Sequence, residues 1–150
     1  PGYFEHGFTY SAHPVAAAAG LAVLDHIEQN RLFERVAPAG ERLFRDFEPL
    51  RARRMVGDIR GCGLLWGIEF VRDATTREPF PADAGVAARV YQAALEEGIV
   101  TYPIQGCVDG ESGDHILLAP PFTLSAEESR EIARGLEAAL AGVARELGVN

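Results

Sequence analysis

The 150-residue chain has no lysine, since every one of its 14 basic side chains is arginine. Chemistry that needs a side-chain amine, such as a Schiff base to a carbonyl compound, is therefore excluded from these residues. Cysteine is scarce. Cys62 and Cys107 lie far apart without CxxC spacing, which excludes a thiolate metal site and a disulfide-stapled scaffold and predicts free thiols in a reducing compartment. No apolar run is long enough to cross a bilayer, and the first residues are not a basic segment followed by a hydrophobic stretch, so a cytoplasmic location is expected. Positive charge is also in deficit. With 22 acidic residues against 14 basic ones the formal net charge is -8, and neither nucleic acid nor an anionic membrane suits such a surface. Arg51, Arg53 and Arg54 form the only local basic cluster, which reads as a solvated helix end. Neither a dinucleotide fingerprint nor a phosphate loop occurs, nor any internal repeat or low-complexity tract.

Hydrophobic residues make up 47% of the chain, enough for one ordinary globular domain with its own core. Residues 1–13 mix glycine, aromatics, histidine and hydroxyl residues without a period, and read as a structured loop. Pro14 then starts an amphipathic helix to about Asn30, with Val15, Ala18, Ala19, Ala22, Val23 and Ile27 at helical spacing. Its small residues predict close packing against another helix or across a subunit contact. A second helix is expected over 32–53, with Pro38 able to break its first turn. Strands are expected at 56–60 and 64–71, joined by a bend or bulge at Gly61-Cys62-Gly63.

A polar loop over 72–83 leads to a third helix over 83–97 with Val86, Val90 and Ala94 inward. A strand at 99–102, a glycine-rich excursion over 105–114 and a strand at 115–118 follow. Ser125 and Glu128 form a capping box for the final helix, which stops at Gly148. This order predicts an α+β domain of two layers, a mainly antiparallel sheet of three or four strands covered on one face by helices. His6 and His13 flank the first loop, yet no third ligand has suitable spacing, so hydrogen bonding rather than metal is expected for both. His26 and His115 read the same way.

Three stretches together resemble the C-terminal part of class III aminotransferases. The first, His6-Gly7-Phe8-Thr9-Tyr10-Ser11-Ala12-His13-Pro14-Val15-Ala16, is similar to that family's HGFTYSGHPVA segment, with Ala12 where glycine is usual. The second, Gly57-Asp58-Ile59-Arg60-Gly61-Cys62-Gly63-Leu64, is similar to its VGDVRGxGL turn. The third runs Gly113-Asp114-His115-Ile116-Leu117-Leu118-Ala119-Pro120-Pro121-Phe122. The resemblance implies the small domain of a homodimeric enzyme dependent on pyridoxal 5'-phosphate (PLP), with residues 1–13 as a cofactor-phosphate loop, 14–30 as a linking helix and 31–150 as an α/β sandwich. It also implies that Thr9 donates its hydroxyl to the PLP phosphate of the neighbouring subunit. The alternative is a loop threonine bonded to its own backbone. The catalytic lysine and the groups that hold the cofactor ring would lie in a large domain upstream, and the chain, which opens at Pro1 and not at methionine, is expected to be a piece of a longer polypeptide. Alone it should be catalytically silent, so none of its residues is assigned a catalytic role.

Relatives acting on α-amino acids place an arginine in the last strand, as IRLAPP, to grip the substrate carboxylate. Leu117 stands there in this chain. The resemblance then implies an ω-type enzyme whose substrates are an amine or ω-amino acid and a keto acid. Tyr102 is a candidate pocket residue, with packing at a domain seam as the equal alternative. Arg60 is expected in a buried ion pair, and Gly106–Gly113 as a loop that closes the substrate channel. A stand-alone α/β binding module reusing this shape, without catalysis, is the competing reading.

Overall fold

The computed structural model describes residues 2–149, which fall into two compact units, one ending at Glu34 and the other beginning at Arg35. In the first unit, an irregular segment leads into α1 (Pro14–Gln29). Pro14 takes the first helical position, where its missing N–H costs nothing. His13 caps the helix, its Nδ1 accepting from the Ala16 N–H at 3.2 Å. None of the residues of α1 is buried.

The second unit carries α2 (Leu32–Phe47, which starts just before the boundary), β1 (Val56–Cys62), β2 (Leu65–Phe70), α3 (Val86–Glu96), β3 (Tyr102–Gln105), β4 (Asp114–Leu118) and α4 (Ala126–Leu147). The strands form one antiparallel sheet in the order β1-β2-β4-β3. Alternation along β2 and β4 sets its two faces. Ile59, Trp66, Ile68, Phe70, Ile116 and Leu118 point into a core shared with Leu43 and Phe47 of α2, Val86, Val90 and Ala94 of α3, and Leu136, Leu140 and Val143 of α4. The expected α+β architecture is the one observed.

Several boundaries differ from expectation. The second helix ends at Phe47 and continues as a 3-10 turn over Glu48–Ala52, because Pro49 cannot extend the α-helical ladder. Pro38 sits inside α2 without ending it. The third strand begins at Tyr102 where it was expected to end, leaving 99–101 as the approach to it. The Gly61-Cys62-Gly63 stretch closes the β1–β2 hairpin, with Cys62 opposite Leu65, and the irregularity in register lies instead between Val56 and Asp58. Gly63 takes φ 56°, and its carbonyl accepts the indole N–H of Trp66 at 2.8 Å, which ties the turn to the core. The terminal helix is capped as expected, with both bonds of the Ser125–Glu128 box formed and Gly148 in the left-handed region.

Candidate functional site

The first unit presents Thr9 on a tight turn. The Ser11 N–H donates to the Phe8 carbonyl at 2.9 Å, and the Phe8 N–H donates back to Ser11 Oγ at 3.1 Å. Thr9 and Tyr10 occupy the corner between them. Among the described residues the Thr9 hydroxyl has no hydrogen-bond partner, so the self-bonded alternative is not what the structure shows. A phosphate dianion takes several fixed donors, and one exposed, uncommitted hydroxyl on a turn held by two hydrogen bonds fits the part of a single donor. The helix end contributes less than its dipole suggests. Pro14 has no N–H, and that of Ala16 is already spent on His13. Ala12 has φ 59°, a left-handed conformation that glycine adopts freely and alanine only under strain.

His13 is a helix cap. His26 Nδ1 lies 3.2 Å from Asn30 Nδ2. His6 makes ring contacts instead, its centroid 5.0 Å from Phe8 and 5.8 Å from Phe4. Among the described residues no group of three His, Cys, Asp or Glu is arranged to hold a metal.

The second unit offers a different surface. Its sheet is covered by helices on one face, and the other face is open. Strand register places Arg60, Gly67, Leu117 and Tyr102 in one row across that face, and Asp58, Glu69, His115 and Ile104 in the next. Gly67 leaves a gap between Arg60 and Leu117, and a cavity of about 490 Å³ opens there, lined by Arg60, Cys62, Glu69, His115 and Leu117 among others. Tyr102 stands at the edge of the row and is exposed. Thr9 belongs to the other unit, and the two candidate positions are separate findings.

Arg60 does form ion pairs, with Asp58 at 3.1 Å and Glu69 at 2.6 Å, but its side chain is 64% exposed, so the expected burial is corrected. It is the penultimate outward position of a hairpin end, where no layer covers it. Asp58 also accepts from Arg51 at 3.1 Å. Burial works to raise the Asp58 pKa, and the hydrogen bonds from Arg51, Arg60 and the Ile59 N–H outweigh it and hold the carboxyl below its ordinary value. Arg51 further bonds the Ile59 carbonyl, and Arg53 bonds Glu137 on α4. The arginine cluster read as a solvated helix end is thus partly a structural clamp between the 3-10 turn, β1 and α4.

Two residues escaped the sequence reading. Asp114 is buried, and its Oδ1 accepts the Ala87 N–H at 2.9 Å, so the first residue of β4 caps the first turn of α3. Cys107 Sγ lies 3.0 Å from His115 Nδ1. Sequence spacing assigns the histidine a polar contact without a partner, because the pairing depends on how the glycine-rich segment folds back. Both cysteines are free and exposed.

The family model for class III aminotransferases matches residues 1–140. An uncharacterised aminotransferase of Schizosaccharomyces pombe is 41% identical over 130 residues, which is 86% of this chain and 28% of that protein. An (S)-enantioselective omega-transaminase from Thermomicrobium roseum superposes with a TM-score of 0.81 at 37% identity, over 95% of this chain and 30% of its own. A PLP-bound amine transaminase from an uncultivated Pseudomonas species superposes with a TM-score of 0.79 at 37% identity, over 93% of this chain and 30% of its own. The chain therefore spans less than a third of the length of each of these relatives. The loop with Thr9, the hairpin with Arg60 and the strand with Leu117 all lie inside the matched region, and the chain belongs to the class III aminotransferases.

Proposed function

We propose that this chain is the C-terminal small domain of a homodimeric, PLP-dependent transaminase acting on an amine or ω-amino acid and a keto acid. Residues 1–13 serve as the cofactor-phosphate loop, 14–30 as the linking helix and 31–150 as the α/β body, with the large catalytic domain outside this chain. Bound PLP supplies an electron sink for carbanion chemistry at the substrate's amine-bearing carbon. The residues of this chain bind and shape. The Thr9 hydroxyl donates to the phosphate of the cofactor held by the neighbouring subunit, and the fixed turn keeps that donor in place without reorganisation on binding.

With no lysine in its sequence, the chain alone is catalytically silent. On the open sheet face, Leu117 and Gly67 replace an arginine clamp with apolar surface, and Tyr102 borders it. That favours donors without an α-carboxylate. Residues 106–113 border the same face through the start of β4, in keeping with a role in closing the channel. Two exposed thiols agree with a cytoplasmic setting. A stand-alone binding module is not favoured, since the match runs through the cofactor-loop motif as well as the α/β body.

The observation that carries this reading is the unbonded Thr9 hydroxyl at the corner of the Phe8–Ser11 turn. In the complete enzyme, Thr9→Val removes one hydroxyl donor to an anion, and the dissociation constant for PLP should rise by about 10-fold or more. Thr9→Ser should restore most of the affinity. Pyridoxal without its phosphate should bind both variants like the parent protein. A Thr9→Val enzyme with unchanged PLP affinity would remove Thr9 from the cofactor site.

A further inference from the structure

The Cys107–His115 pair lies outside the cofactor loop and the carboxylate-clamp position. The two residues meet because the segment after β3 doubles back: the N–H groups of Gly106 and Cys107 both donate to the Gly113 carbonyl, at 2.9 and 3.4 Å, and the Val108 N–H donates to the Ser112 carbonyl at 3.0 Å. Asp109 Oδ1 accepts from the N–H groups of Glu111 and Ser112 and closes the tip. At the far end, buried Asp114 is fixed by the Ala87 N–H, so His115 enters the sheet at a defined position. The outcome is an exposed thiol whose sulfur is held 3.0 Å from an imidazole nitrogen.

Burial first, and then the Arg60 charge, hold the His115 pKa below its ordinary value, while Glu69 and Asp114 act the other way. In the neutral tautomer that carries its proton on Nε2, the ring accepts from the thiol at Nδ1. Glu69 faces His115 directly across the β2–β4 pair. A nucleophile within hydrogen-bond reach of a base, with a carboxylate beside that base, is the arrangement that activates a thiol. The charged groups around the pair are Arg60 on β1, Glu69 on β2, Asp114 on β4, and Asp109 and Glu111 on the loop itself.

We propose that Cys107 is a reactive thiol, activated by His115, that accepts small soft electrophiles and exchanges with low-molecular-weight disulfides. The thiol proton moves to His115 Nδ1, and the thiolate attacks one sulfur of the disulfide. A new S–S bond forms at Cys107 as the original one breaks, and the departing thiolate takes the proton back from the imidazolium. One disulfide is consumed and one thiol released, so no further oxidant is needed. The adduct sits beside the cavity that His115 and Leu117 line, where it adds bulk next to the open sheet face.

Cys62, exposed and without a hydrogen-bonded imidazole among the described residues, is the control within the same molecule. The complete enzyme is treated with limiting iodoacetamide, and in parallel with cystamine, and the modified fraction at each of the two cysteines is followed by peptide mass spectrometry. Cys107 should react about 10-fold faster than Cys62 with both probes. His115→Gln, which keeps a polar side chain of similar size but no base, should bring Cys107 to the rate of Cys62 while Cys62 is unchanged. His115→Ala should do the same, with circular dichroism reporting whether the fold is retained. Equal rates at the two cysteines in the parent enzyme, or a Cys107 rate that His115→Gln leaves intact, would overturn the proposal.

Discussion

Tyr102 faces Leu117 directly across the β3–β4 pair on the uncovered side of the sheet. The pairing puts an exposed aromatic next to a leucine, and it makes this corner apolar. Leu117→Arg in the complete enzyme would place a bidentate carboxylate donor there. The ratio of kcat/KM for an α-amino acid donor to that for a simple amine should rise by about 10-fold, the size of one charge-assisted hydrogen bond. A steady-state comparison of the two donor classes checks it, and an unchanged ratio would detach Leu117 from the substrate.

Close backbone approach between α2 and the hairpin turn is the second testable feature. A Cβ built on Gly40 would overlap the Gly63 carbonyl, whose own residue is held in a left-handed turn. Backbone cannot step aside as a flexible side chain can, so Gly40→Ala should destabilise the fold by about 1–3 kcal/mol. Gly135→Ala meets chiefly the end of the Ile99 side chain and should cost less. Urea unfolding of the two variants side by side gives the ranking.

The contrast between those two glycines shows where sequence reading stops. Helical periodicity located α2, α3 and α4, since burial of one stripe is a local pattern, and the Ser125–Glu128 box marked the start of α4 to the residue. Thr9 was legible only through the motif around it; a lone hydroxyl in a loop carries no signal of its own. Gly40 against Gly63, Asp114 under α3 and Cys107 beside His115 depend on where distant segments meet. No spacing in the sequence encodes them. The Arg60 misreading has the same origin, because the sequence predicts an ion pair but not that one face of the sheet is bare.

Stability should depend on pH through His115. Burial, followed by Arg60, lowers its folded pKa below the ordinary 6.5. The unfolded chain then binds the proton more readily, so the contribution is fully present above 6.5 and is lost as pH falls from there toward the folded value. Urea midpoints measured at about pH 7.5 and 5.5 should fall on the acid side, and His115→Gln should flatten that part of the profile. The depressed Asp58 pKa adds a second loss at lower pH, as its carboxylate is protonated away from Arg51 and Arg60. An identical profile in His115→Gln would contradict the assignment.

The most direct measurement uses mixed dimers of the complete enzyme. One subunit carries Thr9→Val with its catalytic lysine intact, and the other keeps Thr9 but lacks that lysine. If the hydroxyl acts across the subunit boundary, the single competent site draws Thr9 from its neighbour, and its PLP affinity should equal that of the parent enzyme. If that site instead shows the weakened affinity of the Thr9→Val homodimer, the hydroxyl serves its own subunit or none, and Thr9 is not the phosphate donor to a neighbouring subunit.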